Sequence, residues 1–260
     1  MSAGSKFEKP NDTNVGKTIR ALRRVVVVAG FAALTACATV SNPQSHDPWE
    51  GLNRVTFGFN DGLDTLLLKP AATVYKAITP SFFRTAVGNF FSNLAEPWVA
   101  INTALQFKGL ATVETLMRFA VNSTLGFGGL LDLASEIGIE RRNEDFGQTL
   151  GYWGAGTGPY LVLPFFGPSN VRDSIGLGLD FQGDPVNREP TVLTTTKDSL
   201  SILRLVNFRS SLLSAGNLLE EAALDKYSFT RDVYLQRRKS LVFDGNEPQE
   251  APEAPDAPAK

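Results

Sequence analysis

Few side chains in this sequence could perform catalysis or bind a metal. The 260 residues include one cysteine, Cys37, and one histidine, His46. A single cysteine excludes an intramolecular disulfide framework and a zinc or iron–sulfur site with several cysteine ligands. A single histidine excludes a histidine-rich metal site and leaves one imidazole for acid–base chemistry. We therefore predict no catalytic residue, no metal and no cofactor.

Carboxylates offer the remaining route to hydrolytic chemistry, which would need a serine with an acidic partner. The carboxylate pairs to consider are Asp132 with Glu136 and Glu144 with Asp145. We interpret both pairs as solvated helix faces. His46 lies in a stretch that reads as a tether, so we expect no catalytic role for it. An enzymatic function stays open as an alternative, although the sequence offers no clear set of catalytic groups.

The front of the chain has the pattern of an export signal that ends in a lipid anchor. Lys17 and Arg20–Arg24 precede a 12-residue apolar run, Val25–Ala36, which is too short to span a bilayer as a helix. Leu34-Thr35-Ala36-Cys37 resembles the bacterial lipobox, in which the cysteine is lipidated and becomes the new N-terminus. Ala38 favours export to the outer membrane, by resemblance to bacterial lipoproteins. We predict a signal peptide at 1–36 and a lipidated tether at 37–46.

Charge separates this front end from the body. The first 36 residues have a net charge of +4 and the rest of the chain −6. An acidic body is a poor electrostatic match for nucleic acid. The last residues, 244–260, contain four prolines and five acids without an aromatic, which is typical of a disordered tail. The folded domain is therefore predicted at 47–243.

Apolar spacing within that domain predicts helices, and prolines mark their starts. Asp47-Pro48-Trp49-Glu50 has the pattern of an N-cap with a capping box. Thr79-Pro80 and Glu96-Pro97 are predicted to open two further helices. Over 112–121, Val113, Leu116 and Met117 share one face while Glu114, Thr115 and Arg118 share another. Later helices are predicted at about 198–207, 210–224 and 227–240, and the fold class is all-α.

Several of these helices are short and rich in Phe, with small or polar residues opposite the apolar stripe. Such a helix can lie in a bilayer interface or pack in the core of a soluble bundle. The predicted lipid anchor favours the interface, because it holds the whole domain at a membrane surface.

The segment 143–171 contains no Lys or Arg and is rich in glycine and aromatic residues. The run Gly154-Ala-Gly156-Thr-Gly158-Pro159 cannot form a stable helix interior, since Gly costs about 1 kcal/mol and Pro about 3 kcal/mol relative to Ala. We predict a turn or hinge there. An extended apolar piece, 159–164, follows it, which argues against a phosphate-binding loop.

Together these motifs carry a family resemblance. They are Asp47–Arg54, Phe57–Asn60, Glu96-Pro97, Arg118–Gly129, Phe146–Pro164 and Arg231–Arg238. In this order they resemble the VacJ/MlaA outer-membrane lipoproteins, over about residues 45–243. The resemblance does not extend to 180–196, to the N-terminal extension or to the acidic tail.

The resemblance implies a role in lipid traffic. Family members remove mislocalised phospholipid from the outer leaflet, pass it to a periplasmic carrier, and associate with trimeric porins. Their fold is a compact helical ring in the membrane, with a central amphipathic channel and a glycine-containing hairpin. It implies that Gly154, Gly156 and Gly158 serve as hinge or gate. The residues expected at the channel or in contact with lipid are Phe57, Phe59, Asn60, Tyr152, Trp153 and Tyr160.

For each of those aromatic residues, packing in an ordinary protein core stays open as the alternative to lipid contact. Arg237, Arg238 and Lys239 could meet an anionic headgroup or carrier, or could stabilise the end of a helix. Two further functions stay open beside lipid transport: a structural envelope lipoprotein associated with porins, and a lipid hydrolase.

Overall fold

The computed structural model describes residues 46–188 and 193–247. Cys37, the predicted signal peptide, most of the tether and the tail from 248 onward lie outside the described residues.

The described chain is mainly helical. Helix α1 is followed by a π-helical segment at Asp64–Leu68 that continues into α2. The helices are α1 Glu50–Leu63, α2 Lys69–Ile78, α3 Ser81–Leu105, α4 Gly109–Thr124, α5 Leu133–Glu136, α6 Phe146–Tyr152, α7 Val171–Gly183, α8 Pro185–Arg188, α9 Thr194–Ser211, α10 Leu213–Ala222 and α11 Lys226–Val242. The strands are β1 Tyr160–Leu163 and β2 Gly167–Asn170. Helix α3 packs along α4, α2 packs on α9, and α6 packs on α7.

The all-α prediction is confirmed, with one small addition. Strands β1 and β2 form an antiparallel hairpin in which Tyr160 pairs with Asn170 and Leu163 with Gly167. The hairpin follows the glycine-rich run, and β1 is the extended apolar piece predicted at 159–164. Helices α9, α10 and α11 contain or overlap the three predicted for the C-terminal part.

Asp47 does not cap the first helix. The helix begins at Glu50 after Trp49, and no side chain caps it. Asp47 is instead fully buried and accepts hydrogen bonds from Asn53, Tyr227 and Arg231. The capping prediction was wrong because distant partners compete for the same carboxylate.

Pro97 does not start a helix. Helix α3 runs through it without a break from Ser81 to Leu105. Buried residues on both sides of the proline, from Asn93 to Thr103, hold this helix in place. Tertiary packing therefore outweighs the local preference of proline for a helix start. The helix start predicted at Thr79-Pro80 is confirmed, because α3 begins at Ser81.

The polarity of α4 is reversed relative to a water-soluble bundle. Thr115 and Arg118 are fully buried, whereas Val113, Leu116 and Met117 are each at least half exposed. The predicted period is therefore confirmed, and its apolar face points outward. Other helices repeat this arrangement: in α1, Asn53 is buried while Val55 and Phe59 are about half exposed.

None of the helices in the described part of the chain combines the length and the apolar composition that crossing a bilayer requires.

Candidate functional site: an amphipathic cavity

A cavity of about 980 Å³ opens between helices α3 and α9. The two helices run antiparallel beside it. A Cβ placed on Gly88 of α3 would lie 3.5 Å from Asn207 Nδ2 of α9, and the Arg204 guanidinium lies 5.9 Å from the ring centroid of Phe91. The remaining wall comes from α2, the end of α7, α8 and the segment 141–143.

The cavity wall combines small polar, apolar and basic residues. Helix α3 contributes a polar stripe at helical spacing, with Ser81, Thr85, Asn89 and Ser92. Asn187, Ser201, Asn207, Ser210 and Ser211 add polar groups on the other side. The apolar part of the lining consists of Phe91, Val99, Phe181, Leu205 and Phe208. Such a wall can contact a polar headgroup and an apolar chain at the same time.

Basic side chains outnumber acidic ones in this lining. The acids are Glu96 and Asp184, and the bases are Lys76, Arg84, Arg141, Arg142 and Arg204. Arg204 pairs with Asp184 at 2.6 Å. Arg84 donates to the backbone carbonyls of Lys76 and Thr79 rather than to a carboxylate. The excess of cations favours an anionic group in the cavity.

A buried ion-pair network fixes one side of the wall. Arg118 is fully buried and donates to Glu96 at 3.1 Å and to Asp132 at 2.8 Å. Asp132 also accepts from Arg141 at 2.9 Å. Burial raises the pKa of Glu96, and the hydrogen bond from Arg118 opposes this shift only in part. The network ties Glu96 and Arg141 together through buried charges.

The carboxylates predicted to lie on solvated faces are therefore mostly partnered. Asp132 pairs with two arginines, and Glu144 accepts from Lys108 at 3.1 Å and from Gln106 at 3.0 Å. Asp145 caps α6 and forms a bidentate pair with Arg238, with N–O distances of 2.6 and 2.9 Å. The interpretation as solvated faces was wrong for these three, because each neutralises a nearby cation.

Helix α1 braces the hairpin through two asparagines. Asn53 is fully buried, donates to the carbonyl of Tyr160 at 3.1 Å and accepts from the Val162 N–H at 2.9 Å. Asn60, two turns later, donates to the carbonyl of Leu163 at 2.9 Å and accepts from the Phe165 N–H at 2.8 Å. These bonds satisfy the open edge of β1, which would otherwise be exposed for pairing.

Four of the residues predicted for lipid contact lie around this hairpin. Asn60 braces the turn, and the rings of Phe59 and Phe165 pack edge-on with their centroids 5.4 Å apart. Tyr160 is fully buried with Val162 and Tyr227, and Phe57 packs against this cluster. Tyr160 therefore has the core position that was the alternative to an interfacial one.

Tyr152 and Trp153 close α6, just before the glycine-rich run. Both are about half exposed, and Trp153 Nε1 donates to the carbonyl of Leu105 at 3.0 Å. None of the six predicted contact residues lines the cavity between α3 and α9. The predicted contacts and the cavity thus occupy different places in the structure.

The predicted hinge glycines form an exposed connection from α6 to β1. Gly154 and Gly158 have φ angles of 90° and 65°, which favour glycine. A Cβ on Gly154 or Gly156 would meet no atom within 4 Å, whereas one on Gly158 would lie 3.1 Å from Val171 Cβ. There is therefore open space for a side chain at Gly154 and at Gly156, whereas a side chain at Gly158 would meet Val171.

His46 is exposed, and its backbone carbonyl accepts a hydrogen bond from the Tyr160 N–H at 2.9 Å. Arg238 is buried and pairs with Asp145 and Asp173, which lie on other parts of the fold. Arg237 is exposed.

Sequence reasoning missed Arg141, Arg142 and Asn53. The signal that could have found the cavity is the polar stripe on α3, which begins at Ser81 and continues to Glu96.

Comparison with known proteins identifies the family. The model of the MlaA lipoprotein family matches residues 45–241. The intermembrane phospholipid transport system lipoprotein MlaA of Escherichia coli K12 is 32% identical over 90% of this chain and 94% of its own length. An uncharacterised protein of Rickettsia bellii is 36% identical over 82% of this chain and 81% of its own.

A solved structure agrees with these sequence matches. It comes from work on the structural basis for maintenance of bacterial outer membrane lipid asymmetry. It is 33% identical, has a TM-score of 0.65, and covers 75% of this chain and 98% of its own. The chain described here belongs to the MlaA lipoprotein family.

Proposed function

We propose that this protein removes mislocalised phospholipid from the outer leaflet of the outer membrane through the cavity between α3 and α9, and so maintains lipid asymmetry. The observation that supports the proposal best is the reversed polarity. Apolar side chains such as Leu116 and Met117 face outward, while polar residues line the cavity and fill much of the interior. Such a body is suited to a lipid environment outside and a polar path inside.

The path needs no bond-making groups. A phospholipid moves when its headgroup stays near polar partners and its tails stay near apolar surface, and the cavity wall supplies both. Its carboxylates Glu96 and Asp184 are each engaged by an arginine, which argues against a free general base. We infer that the protein is not an enzyme.

Location and partners complete the proposal. Lipidation at Cys37 would hold the domain at the periplasmic side of the outer membrane. A periplasmic lipid carrier would receive the phospholipid, and a trimeric porin would be a neighbour in the membrane. These partners follow from the family resemblance.

The proposal can be tested by obstructing the cavity. Ser92 lies in its wall, and Ser199 on α9 is exposed outside it. We expect Ser92→Trp to raise outer-leaflet phosphatidylethanolamine, labelled with a membrane-impermeant amine reagent in cells that depend on the variant. Ser199→Trp should behave as the wild type. Normal outer-leaflet lipid in cells with folded Ser92→Trp would overturn the proposal.

Stiffening the glycine connection separates transport from a purely structural role. A side chain at Gly156 meets no neighbour, so a substitution there tests backbone mobility rather than packing. Gly154 is unsuitable for this test, because proline cannot adopt its φ of 90° and would remove the hydrogen bond from its N–H to the carbonyl of Gly151. We expect Gly156→Pro to impair lipid transport while the protein still folds and is anchored. Normal transport in folded Gly156→Pro would refute the hinge role. A structural lipoprotein would tolerate this variant.

A further inference from the structure

Three polar side chains in the cavity wall each keep one atom without a hydrogen-bond partner. These atoms are Glu96 Oε2, Arg141 Nε and Arg142 Nε, and each is buried. Glu96 as a whole is only 2% exposed. A buried polar atom without a partner costs free energy, and a ligand that pairs with it removes that cost.

The same three side chains are fixed by their other atoms. Arg141 Nη2 is held by Asp132 and Arg142 Nη2 by Glu114, both at 2.9 Å. Glu96 Oε1 is held at 3.1 Å by the fully buried Arg118. These partners fix the rest of each side chain, so a ligand needs only a local shift that uncovers the unpaired atom in order to pair with it.

The unpaired atoms have opposite requirements. The Nε–H groups of Arg141 and Arg142 are donors on guanidinium ions, which suit the oxygens of a phosphate. Glu96 Oε2 is an acceptor on a carboxyl group, which suits an ammonium N–H. The excess of cations in the lining favours the phosphate in the cavity as a whole. A group with a phosphate next to an ammonium meets both requirements at once.

We infer that Arg141, Arg142 and Glu96 form a headgroup site for a phospholipid that has a primary ammonium, with the phosphate on the arginines and the ammonium on Glu96. The inference rests on the proposed function and adds a headgroup preference to it. The recognised chemistry is shared with soluble phosphoethanolamine, and the test separates the two sources.

The test measures which lipid the protein retains. The full lipidated chain in detergent is mixed with vesicles of equal parts phosphatidylethanolamine and phosphatidylglycerol, repurified, and its bound lipid is counted by mass spectrometry. We expect retention of phosphatidylethanolamine to exceed that of phosphatidylglycerol by about tenfold, the ratio that one charge-assisted hydrogen bond supplies. N-acetylated phosphatidylethanolamine, which lacks the cation, should lose this advantage without any change to the protein.

Variants assign the preference to residues. Glu96→Gln keeps the size of the side chain and an acceptor for Arg118, and it should bring the two lipids close to equal retention. Arg141→Gln and Arg142→Gln should lower retention of both lipids. Arg54→Gln changes an arginine outside the cavity and should match the wild type. Circular dichroism checks that each variant is folded.

Three results would overturn the inference. They are equal retention of the two lipids by the wild type, an unchanged preference in folded Glu96→Gln, and binding of soluble phosphoethanolamine without binding of the intact lipid. A wild-type protein that retains no phospholipid at all would instead refute the proposed function. The outcomes of the two proposals are thus distinguishable.

Discussion

Removing the buried Arg118 should destabilise the protein far more than removing an exposed arginine that also pairs with two carboxylates. Arg118 is fully buried and donates to Glu96, Asp132, Ser135 and the carbonyl of Ile139. Arg118→Met removes the positive charge that neutralises the carboxylates of Glu96 and Asp132. Breaking a buried ion pair in this way costs about 3–5 kcal/mol.

Arg54→Met is the matched control. Arg54 pairs with Glu50 and Asp225, each at 2.7 Å, but its side chain is 41% exposed. Solvent-exposed pairs contribute at most about 1 kcal/mol, because water screens the charges. At about 2–4 °C per kcal/mol for a domain of this size, Arg118→Met should lower Tm by roughly 6–20 °C and Arg54→Met by roughly 4 °C or less.

The assay is thermal unfolding followed by circular dichroism in a detergent that keeps the wild type folded. Adding Glu96→Gln to Arg118→Met should recover part of the loss, because it removes one of the two stranded charges. Equal Tm changes for the Arg118 and Arg54 variants would refute the reasoning that polar burial holds this fold together.

Three further predictions follow from other parts of the molecule. Burial alone would raise the pKa of the Asp173 carboxyl, but the hydrogen bonds and the charge of Arg238 outweigh burial, and the pKa is lowered. The stability that this carboxylate contributes should therefore be fully present above about pH 4 and be lost as the pH falls further. Asp173→Asn should flatten the fall of Tm with acidification. Gly183→Ala should lower Tm because its Cβ would lie 2.1 Å from Trp98 Cδ2, whereas Gly62→Ala, with no atom within 4 Å, should raise stability by about 1 kcal/mol. Cys37→Ser should leave the protein unlipidated and mislocalised, with an unchanged precursor mass, and a processed, lipidated product would contradict the anchor.

Helix positions could be predicted from the sequence where periodicity and local breakers agree. The spacing in 112–121 and the break at Thr79-Pro80 both appear in the structure as expected. Pro97 and Asp47 were misread, because each is governed by contacts that local rules do not contain. The partners of Asp47 include Tyr227 and Arg231, which follow it by 180 and 184 residues.

Which face of a helix points inward could not be predicted from spacing. Periodicity places Leu116 opposite Arg118, but the assumption that apolar faces turn inward holds only when water surrounds the molecule. In α4 the arginine is buried and the leucine is exposed. The cavity escaped prediction for the same reason, since its wall is built from polar stripes on α3 and α9 that an aqueous model assigns to the surface.

The reversed polarity is the central claim, and spin-label accessibility in lipid bilayers tests it most directly. If Cys37 is lipidated, a cysteine introduced elsewhere is the only free thiol for labelling. A label at Met117 on the outer face of α4 should be relaxed more by oxygen, which partitions into lipid, than by a nickel complex that stays in water. A label at Ser92 in the cavity should be relaxed more by a water-soluble nickel complex. Two labels that both respond as residues in water would contradict the account.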